Sequence, residues 1–329
     1  MAQAWTLTNR PKGLPKASDF ALVEQQSGSL EDGQVRVANR WLSVDPYMRG
    51  RMNDVKSYVP PFELGQPMQG HALGEVVESR ADAVPVGTMV SHMAGWRDEA
   101  VLPADQVQAL PPIDVAPQAF LGQLGMPGVT GYFGLLAVAE AKAGDTVFVS
   151  AAAGAVGSTV VQLAKAKGMT VIGSAGGAEK CAWVREIGAD AVIDYKSGRP
   201  IAEALGEAAP KGIDVYFDNV GGDHLDAALA QARLRARFAI CGMIEVYNEA
   251  KPTSLRHLAQ MIGKRVRMQG FIVSDYLDRA GEFYADMGDL VKNGALQRQE
   301  TVFEGLDATP EAFLALFSGG NTGKMLVKL

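Results

Sequence analysis

One short turn in this chain has the residues to grip a phosphate. Residues 150–158 read SAAAGAVGS, with a strand-like TVFVS before the turn and a helix-like STVVQLAKAKG after it. In a strand–turn–helix unit that binds a dinucleotide, the three fingerprint glycine positions fall here at Ala152, Gly154 and Gly157. The second lets the backbone approach a pyrophosphate, and the third lets the helix pack tightly on the strand. The first only shapes the turn, so a small alanine can stand there. Ala155 and Val156 open the helix, whose free N–H groups bind phosphate. The following helix carries Val156, Val160 and Leu163/Ala164 on one face. Small residues in such a turn also serve plain packing, so the motif needs its surroundings to be read.

The next strand, TVIGSA, ends in Ser174, Ala175, Gly176 and Gly177. A site for NAD places an acid about 20 residues beyond the turn to hold the ribose 2′-hydroxyl. None stands here, and Lys180 follows within a turn. A lysine can neutralise a 2′-phosphate, so the pattern favours NADP; a solvated helix lysine is the plainer reading. Three further strand ends carry FDNVGG with Asn219, CGMIEVYN from Cys241, and GFIV from Gly270. Ligands of open α/β sheets bind at such ends, although ordinary loops have the same composition.

These residues need a frame to hold them. From about Thr146 apolar runs alternate with helical stretches: TVFVS, TVIGSA, AVIDY, IDVYFDN and RFAICG are each followed by a helix, and VRMQGFIV makes a sixth strand. That alternation predicts a doubly wound parallel six-stranded sheet of the Rossmann kind. The helix after RFAICG is expected over SLRHLAQMIG, and residues 52–62 and 272–283 are read as loops around a pocket. Before about Leu121 the chain is turn-dense and β-rich. After about Asn293 a short strand–helix–strand tail, too small to stand alone, is expected to return to that β-rich part. The predicted domains are 1–122 with 295–329, and 123–294.

Composition removes several function classes. A net charge of −6 disfavours nucleic acid as the partner, because a phosphate backbone needs a basic face. Residues 115–139 hold no charge, but Pro117, Pro127 and a glycine at every third position from 122 to 134 argue for a buried junction rather than a membrane span. The N-terminus has no apolar secretory core. Two distant cysteines, Cys181 and Cys241, form neither a disulfide framework nor a cysteine zinc site, which fits a reducing, cytoplasmic setting.

Several strings taken together carry a resemblance. SVDPYMRGRM, MPGVTGYFGLL, AAAGAVGS, FDNVGG, KRVRMQGFIV and the closing NTGK stand in the order found in the zinc-free medium-chain reductases. The chain is similar to the branch of prostaglandin reductases, plant alkenal double-bond reductases and bacterial curcumin reductase. The resemblance implies a GroES-like β domain beside the Rossmann domain. It implies NADP(H) as cofactor and reduction of the carbon–carbon double bond of an α,β-unsaturated ketone or aldehyde, often by a homodimer with RVRMQGFIV near the contact. It implies no metal: SVDPYM lacks the catalytic cysteine of zinc-dependent relatives, and GHALG keeps His71 but has Ala72 in place of the glutamate.

Residue by residue, the resemblance puts Lys180 and Tyr195, with Gly176, at the adenosine 2′-phosphate. Ala152 and Gly154 to Gly157 hold the pyrophosphate. Asn219, the segment from Cys241 and Gly242 to Tyr247, and Phe271, Ile272 and Val273 line the nicotinamide half, and Asn321 reaches the cofactor from the C-terminal segment. Tyr47 and His71 face substrate. One slot departs: relatives carry a tyrosine where this chain has Gly263. The donor to the developing enolate is therefore expected to be the cofactor's ribose hydroxyl, with Tyr47 or Tyr247 assisting and water as final proton source. Two other readings share these features, an NADPH-dependent quinone reductase and an NADPH-binding structural or sensor protein with little turnover.

Overall fold

The structure, a computed structural model, describes residues 1–25, 28–248 and 254–329. The chain divides into two compact units, residues 1–121 with 300–329, and residues 122–299.

The first unit begins with an antiparallel pair, β1 (Ala2–Leu7) and β2 (Phe20–Gln25). Next comes β3 (Gln34–Ser43), whose alternation buries Val35 and Val37 on one face. It runs out into a single helical turn, α1 (Met48–Arg51). Strands β4 (Ala72–Ser79), β5 (Met89–His92), β6 (Glu99–Pro103) and β7 (Gln108–Ala109) follow.

The second unit opens with α2 (Met126–Phe133) in the middle of the uncharged run. Among the described residues no helix is long and apolar enough to cross a membrane. Then come β8 (Thr146–Val149), α3 (Ala155–Ala166), β9 (Thr170–Ala175), α4 (Ala178–Glu186), β10 (Ala191–Asp194), α5 (Ile201–Ala208), β11 (Ile213–Asp218), α6 (Gly222–Gln231), β12 (Ala232–Ile240), α7 (Gln260–Lys264), β13 (Arg267–Gly270) and α8 (Ala280–Lys292). All six strands are parallel, in the order β10-β9-β8-β11-β12-β13. The order reverses at β8, so the carboxyl ends of β8, β9 and β11 frame the switch point where such sheets bind ligands.

The tail returns to the first unit as β14 (Glu300–Glu304), α9 (Thr309–Ser318) and β15 (Lys324–Lys328). Strand β15 pairs antiparallel with β3 and parallel with β14, completing a seven-stranded sheet. Helix α9 seals it: Phe313 packs edge-on against Phe20 and Trp96, which stack on each other at 5.7 Å.

Four elements depart from the sequence reading. Helix α3 is buried all round from Gly157 to Ala164, polar Ser158, Thr159 and Gln162 included, while Val156 is only half-buried. It is gripped on a polar side too, where Gln162 exchanges hydrogen bonds with the backbone of Gln297. Helix α7 is short: the described residues before Gln260 form turns, and Arg256 and His257 bond instead to Asp226 of α6. Strand β13 stops at Gly270, so Phe271 to Val273 lie beyond it. Residues 273–279 form a 3₁₀ turn leading into α8, where a loop was expected.

Candidate functional site

The glycine turn sits at the end of β8. Ala151 is in the left-handed region at φ 47°. Ala152 is fully buried and donates its N–H to Ser174 O at 2.9 Å, tying the turn to β9. Its methyl stands where glycine is usual, and β9 makes room for it. A side chain on Gly173 would come 2.9 Å from the Ala152 methyl and 2.5 Å from Val184. Gly154 is the N-cap of α3 and has no side chain to cap with. The N–H groups of Ala155, Val156 and Gly157 therefore emerge from the first turn without intrahelical partners, a ready anion site.

On the β9 side the groups are cationic and aromatic. Gly176 is covered by Tyr195 and Lys196: an added Cβ would meet the Tyr195 hydroxyl at 2.6 Å and Lys196 Cε at 3.0 Å. Lys180 is half-buried, and its ammonium is pulled below its ordinary value by burial first and by the Lys196 charge second. Two lysines thus converge beside one glycine and one phenol. Lys196 was not singled out from sequence, though its place directly after Tyr195 was the available signal. Beneath them His224 is buried, with Nε2 2.9 Å from Ser174 Oγ and its ring edge-on to Tyr195 at 5.5 Å.

Burial pushes His224 down to about 4, so the folded protein keeps it neutral. An unfolded chain titrates this residue near 6.5. Stability from the neutral form is complete above 6.5 and is lost as pH falls from there towards 4, by about 3 kcal/mol in all. Urea unfolding at pH 7.5 and 5.0 is expected to show this loss in the wild type and a smaller one in His224→Gln. Equal losses in the two proteins would overturn the assignment.

On the β11 side a buried polar network holds the strand ends. Asp218 is fully buried, and its Oδ1 accepts from Tyr216 Oη at 2.7 Å, Gly221 N at 2.8 Å, Val220 N at 2.9 Å and Ser150 Oγ at 3.2 Å. Asn219 donates its N–H to Ser150 Oγ and its side-chain amide to Ser150 O, so half of its polar reach is already used within the turn. Cys241 and Gly242 donate their N–H groups to Asp218 O. Desolvation and the Asp218 carboxylate push the Cys241 thiol up to about 12, so it stays protonated and is no nucleophile. The Tyr247 hydroxyl lies over Gly242, 3.4 Å from Met243 N. Phe271 packs edge-on to Phe217, and Ile272 and Val273 follow into the 3₁₀ turn. Sequence reasoning quoted the FDNVGG string but passed over Asp218.

Tyr47, His71 and Asn321 belong to the first unit. Tyr47 is the N-cap of α1. Its hydroxyl is buried, faces the Arg51 guanidinium, which can only donate, and gives its own proton to no acceptor among the described residues. Burial first and the Asp45 carboxylate second push it above the ordinary phenol range, with the Arg51 charge opposing in part. His71 lies near the paired Asp45 and Lys324, and burial lowers its pKa. Asn321 turns its amide onto Gly323 O at 2.8 Å. Gly263, in the departing slot, is exposed with open space where a side chain would be.

Comparison with known proteins covers both units. Residues 3–110 match the family model described as the N-terminal domain of oxidoreductase, and residues 155–293 match the one described as zinc-binding dehydrogenase. The chain is 41% identical to the NADPH-dependent curcumin reductase of Escherichia coli (strain K12), over 99% of this chain and 96% of that protein. It is 39% identical to the NADP(+)-dependent 2-alkenal reductase of Nicotiana tabacum, over 98% and 95%. The crystal structure of CurA from Vibrio vulnificus in complex with NADPH superposes with a TM-score of 0.94 at 40% identity, covering 99% of this chain and 98% of that one.

The chain is a medium-chain dehydrogenase/reductase. Its branch is that of the prostaglandin, alkenal and curcumin reductases, and its two units are the GroES-like and Rossmann parts of that fold. Zinc does not fit this medium-chain reductase. Among the described residues no three His, Cys, Asp or Glu side chains gather as a donor set. Both ring nitrogens of His92 are engaged, one with Asn39 Oδ1 and the other accepting from Ala94 N. A dinucleotide does fit: the capless α3 N-terminus, the Gly154 backbone and the paired lysines form a cradle that side chains would fill.

Proposed function

We propose that this reductase uses NADPH to saturate the carbon–carbon double bond of α,β-unsaturated ketones and aldehydes. The observation that carries the reading is its near full-length similarity to reductases named for curcumin and 2-alkenals. Bound in the cradle, NADPH supplies a hydride to the electrophilic β-carbon.

The chain's own residues then have distinct work. The N–H groups of Ala155, Val156 and Gly157 hold the pyrophosphate, with Ala152 and Gly154 shaping its approach. Lys180, Lys196 and Tyr195 hold the 2′-phosphate over Gly176; an anion there relieves the repulsion between the two ammonium groups. Asn219, Cys241, Gly242, Tyr247, Phe271, Ile272, Val273 and Asn321 line the nicotinamide half. Negative charge develops on the substrate carbonyl oxygen, and a donor aimed at it lowers the barrier. Tyr47, in place of the ribose hydroxyl expected from the sequence, is that donor. Its raised pKa keeps it protonated, and its buried hydroxyl has a hydrogen bond still to give. Water supplies the proton that the α-carbon takes. His71 and Tyr247 assist in orienting the substrate.

NADPH oxidation with a simple enone tests the reading, with NADH alongside. Turnover is expected with NADPH and little with NADH. Lys180→Ala is expected to raise the KM for NADPH about tenfold or more and leave that for NADH unchanged, as for loss of a charge-assisted contact. Oxidation only with quinones would replace the substrate class, and tight NADPH binding without turnover would favour a sensor. We also infer a homodimer paired through β13, the sheet's edge, where Arg267, Gln269 and Gly270 are exposed; light scattering would report two chains. A cytoplasmic setting accords with two free thiols at Cys181 and Cys241.

A further inference from the structure

Strands β3 and β15 pair with Leu326 opposite Ser43 and Val327 opposite Leu42. Two residues further along the same register, Lys324 stands opposite Asp45. Backbone pairing has already ended at Ser43, and beyond Asp45 comes Pro46, which has no N–H to give. An ion pair continues the ladder. Lys324 Nζ lies 3.0 Å from Asp45 Oδ1 and donates to Met325 O at 2.9 Å and Val44 O at 3.1 Å. That uses all three ammonium protons. The second carboxylate oxygen of Asp45 accepts from Ser43 Oγ. The two side chains are 5% and 15% exposed.

The turn that carries Tyr47 hangs from this pair. Asp45 O accepts Met48 N at 3.1 Å, Pro46 O accepts Arg49 N at 3.1 Å, and Tyr47 O accepts Gly50 N at 3.0 Å. Asp45 is thus anchored through its side chain on one side and feeds the α1 turn through its backbone on the other. A pair buried this deeply is a poor source of stability, since desolvation offsets attraction and an apolar pair often does as well. What it supplies is direction, because charge-assisted hydrogen bonds fix both distance and angle.

We infer that Lys324 and Asp45 are positioning residues of the reaction: paired, they lock the Asp45–Tyr47 turn so that the Tyr47 hydroxyl is held at the carbonyl oxygen of the substrate. This rests on the reading of Tyr47 as the donor. Tyr47 touches substrate; Asp45 acts through it from two residues before, and Lys324 from the far end of the chain. In sequence they lie 279 residues apart.

The test is a double-mutant cycle with NADPH and 3-penten-2-one. Lys324→Met and Tyr47→Phe are each expected to lower kcat about tenfold or more, as for a displaced oxyanion donor. The KM for NADPH is expected to stay put. In the Tyr47→Phe background, Lys324→Met should cost less than about twofold further, because the lysine then has nothing left to position. Lys324→Arg should recover part of the loss. Asp45→Asn keeps the shape of the acid and removes its charge, so it carries the cycle if Lys324→Met does not fold. Losses that multiply in the double variant, or an unchanged kcat in Lys324→Met, would overturn the inference. An unchanged kcat in Tyr47→Phe would also overturn it, while wild-type enone turnover would leave the double-bond reading intact. If the wild type reduces no enone, that reading fails. The inference is then judged on a crystal structure of Lys324→Met, where a Tyr47 ring in its original place would sink it.

Discussion

Gly157→Ala is expected to abolish measurable NADPH binding and to destabilise the fold, whereas Gly154→Ala should weaken binding alone. The difference lies in what each new methyl meets. At 157 an added Cβ would lie 2.2 Å from Ala151 O and 2.9 Å from both Ala151 C and Ala152 Cα. All three are backbone atoms, so no rotamer change relieves the clash. The turn has little slack, since Ala151 already sits at a positive φ and Ala152 is pinned to Ser174. Helix α3 must move away from β8, at a cost of about 1–3 kcal/mol. At 154 the nearest atom is Ala151 O at 3.3 Å, and φ is −82°, which any residue adopts. There a methyl presses lightly on Ala151 O and otherwise intrudes on the space a pyrophosphate would fill. Thermal unfolding with and without NADPH, paired with fluorescence titration, separates the two. A Gly157→Ala protein that binds NADPH like the wild type would dismiss the turn as the cofactor site.

That turn was readable because its constraints are local: a strand, small residues at fixed offsets, then a helix. The parallel strands were readable for a similar reason. Burial on both faces makes them short apolar runs such as IDVYFD in β11, and the alternation with helices fixes the class. Helix α8 was missed although Phe283, Met287 and Val291 recur at four-residue spacing and are buried. Its first turn follows a 3₁₀ segment with no distinct cap, so the helical period starts without punctuation. In α7 the reverse happened. Apolar residues promised a longer helix, but Arg256 and His257 gain more from the Asp226 carboxylate on α6 than from an extra helical turn. Buried polar pairs were the least legible. A lone aspartate at a strand end, or a lysine in a closing NTGK, looks like surface until the partner across the sheet is known. Asp218 needs Ser150, 68 residues earlier. The resemblance, not periodicity, supplied Tyr47, His71 and Asn321, because their setting depends on contacts between distant parts of the chain.

Asp218→Leu is expected to cost about 4 kcal/mol or more in stability and to disable cofactor binding, while Asp218→Asn should lose about 1 kcal/mol. Leucine fills the volume but offers no acceptor. It would strand Val220 N and Gly221 N, which now reach Asp218 Oδ1, and leave the Tyr216 hydroxyl only its longer contact to Ser150 Oγ at 3.1 Å. Each buried donor left without a partner costs about 1–3 kcal/mol. Asparagine keeps that acceptor and drops the charge. The charge itself is a burden: burial raises the Asp218 pKa above the ordinary carboxylate range, and the four hydrogen bonds only partly oppose this. A carboxyl with a raised folded-state pKa loses stability on ionising, so its removal by asparagine offsets part of what the new amide costs at Oδ2, which has no hydrogen-bond partner among the described residues. Cofactor binding follows the same split. Ser150 at the end of β8 and Asn219 beyond β11 are held through this one acceptor, and Cys241 and Gly242 hang from the same residue's carbonyl. With Asp218→Leu the ends of β8 and β11 lose their common anchor just where the glycine turn departs, while the backbone carbonyl that holds Cys241 and Gly242 remains. Urea unfolding and NADPH titration of both variants give the measurement. A leucine variant as stable as the asparagine one would mean that the strand ends are set by the sheet ladder alone.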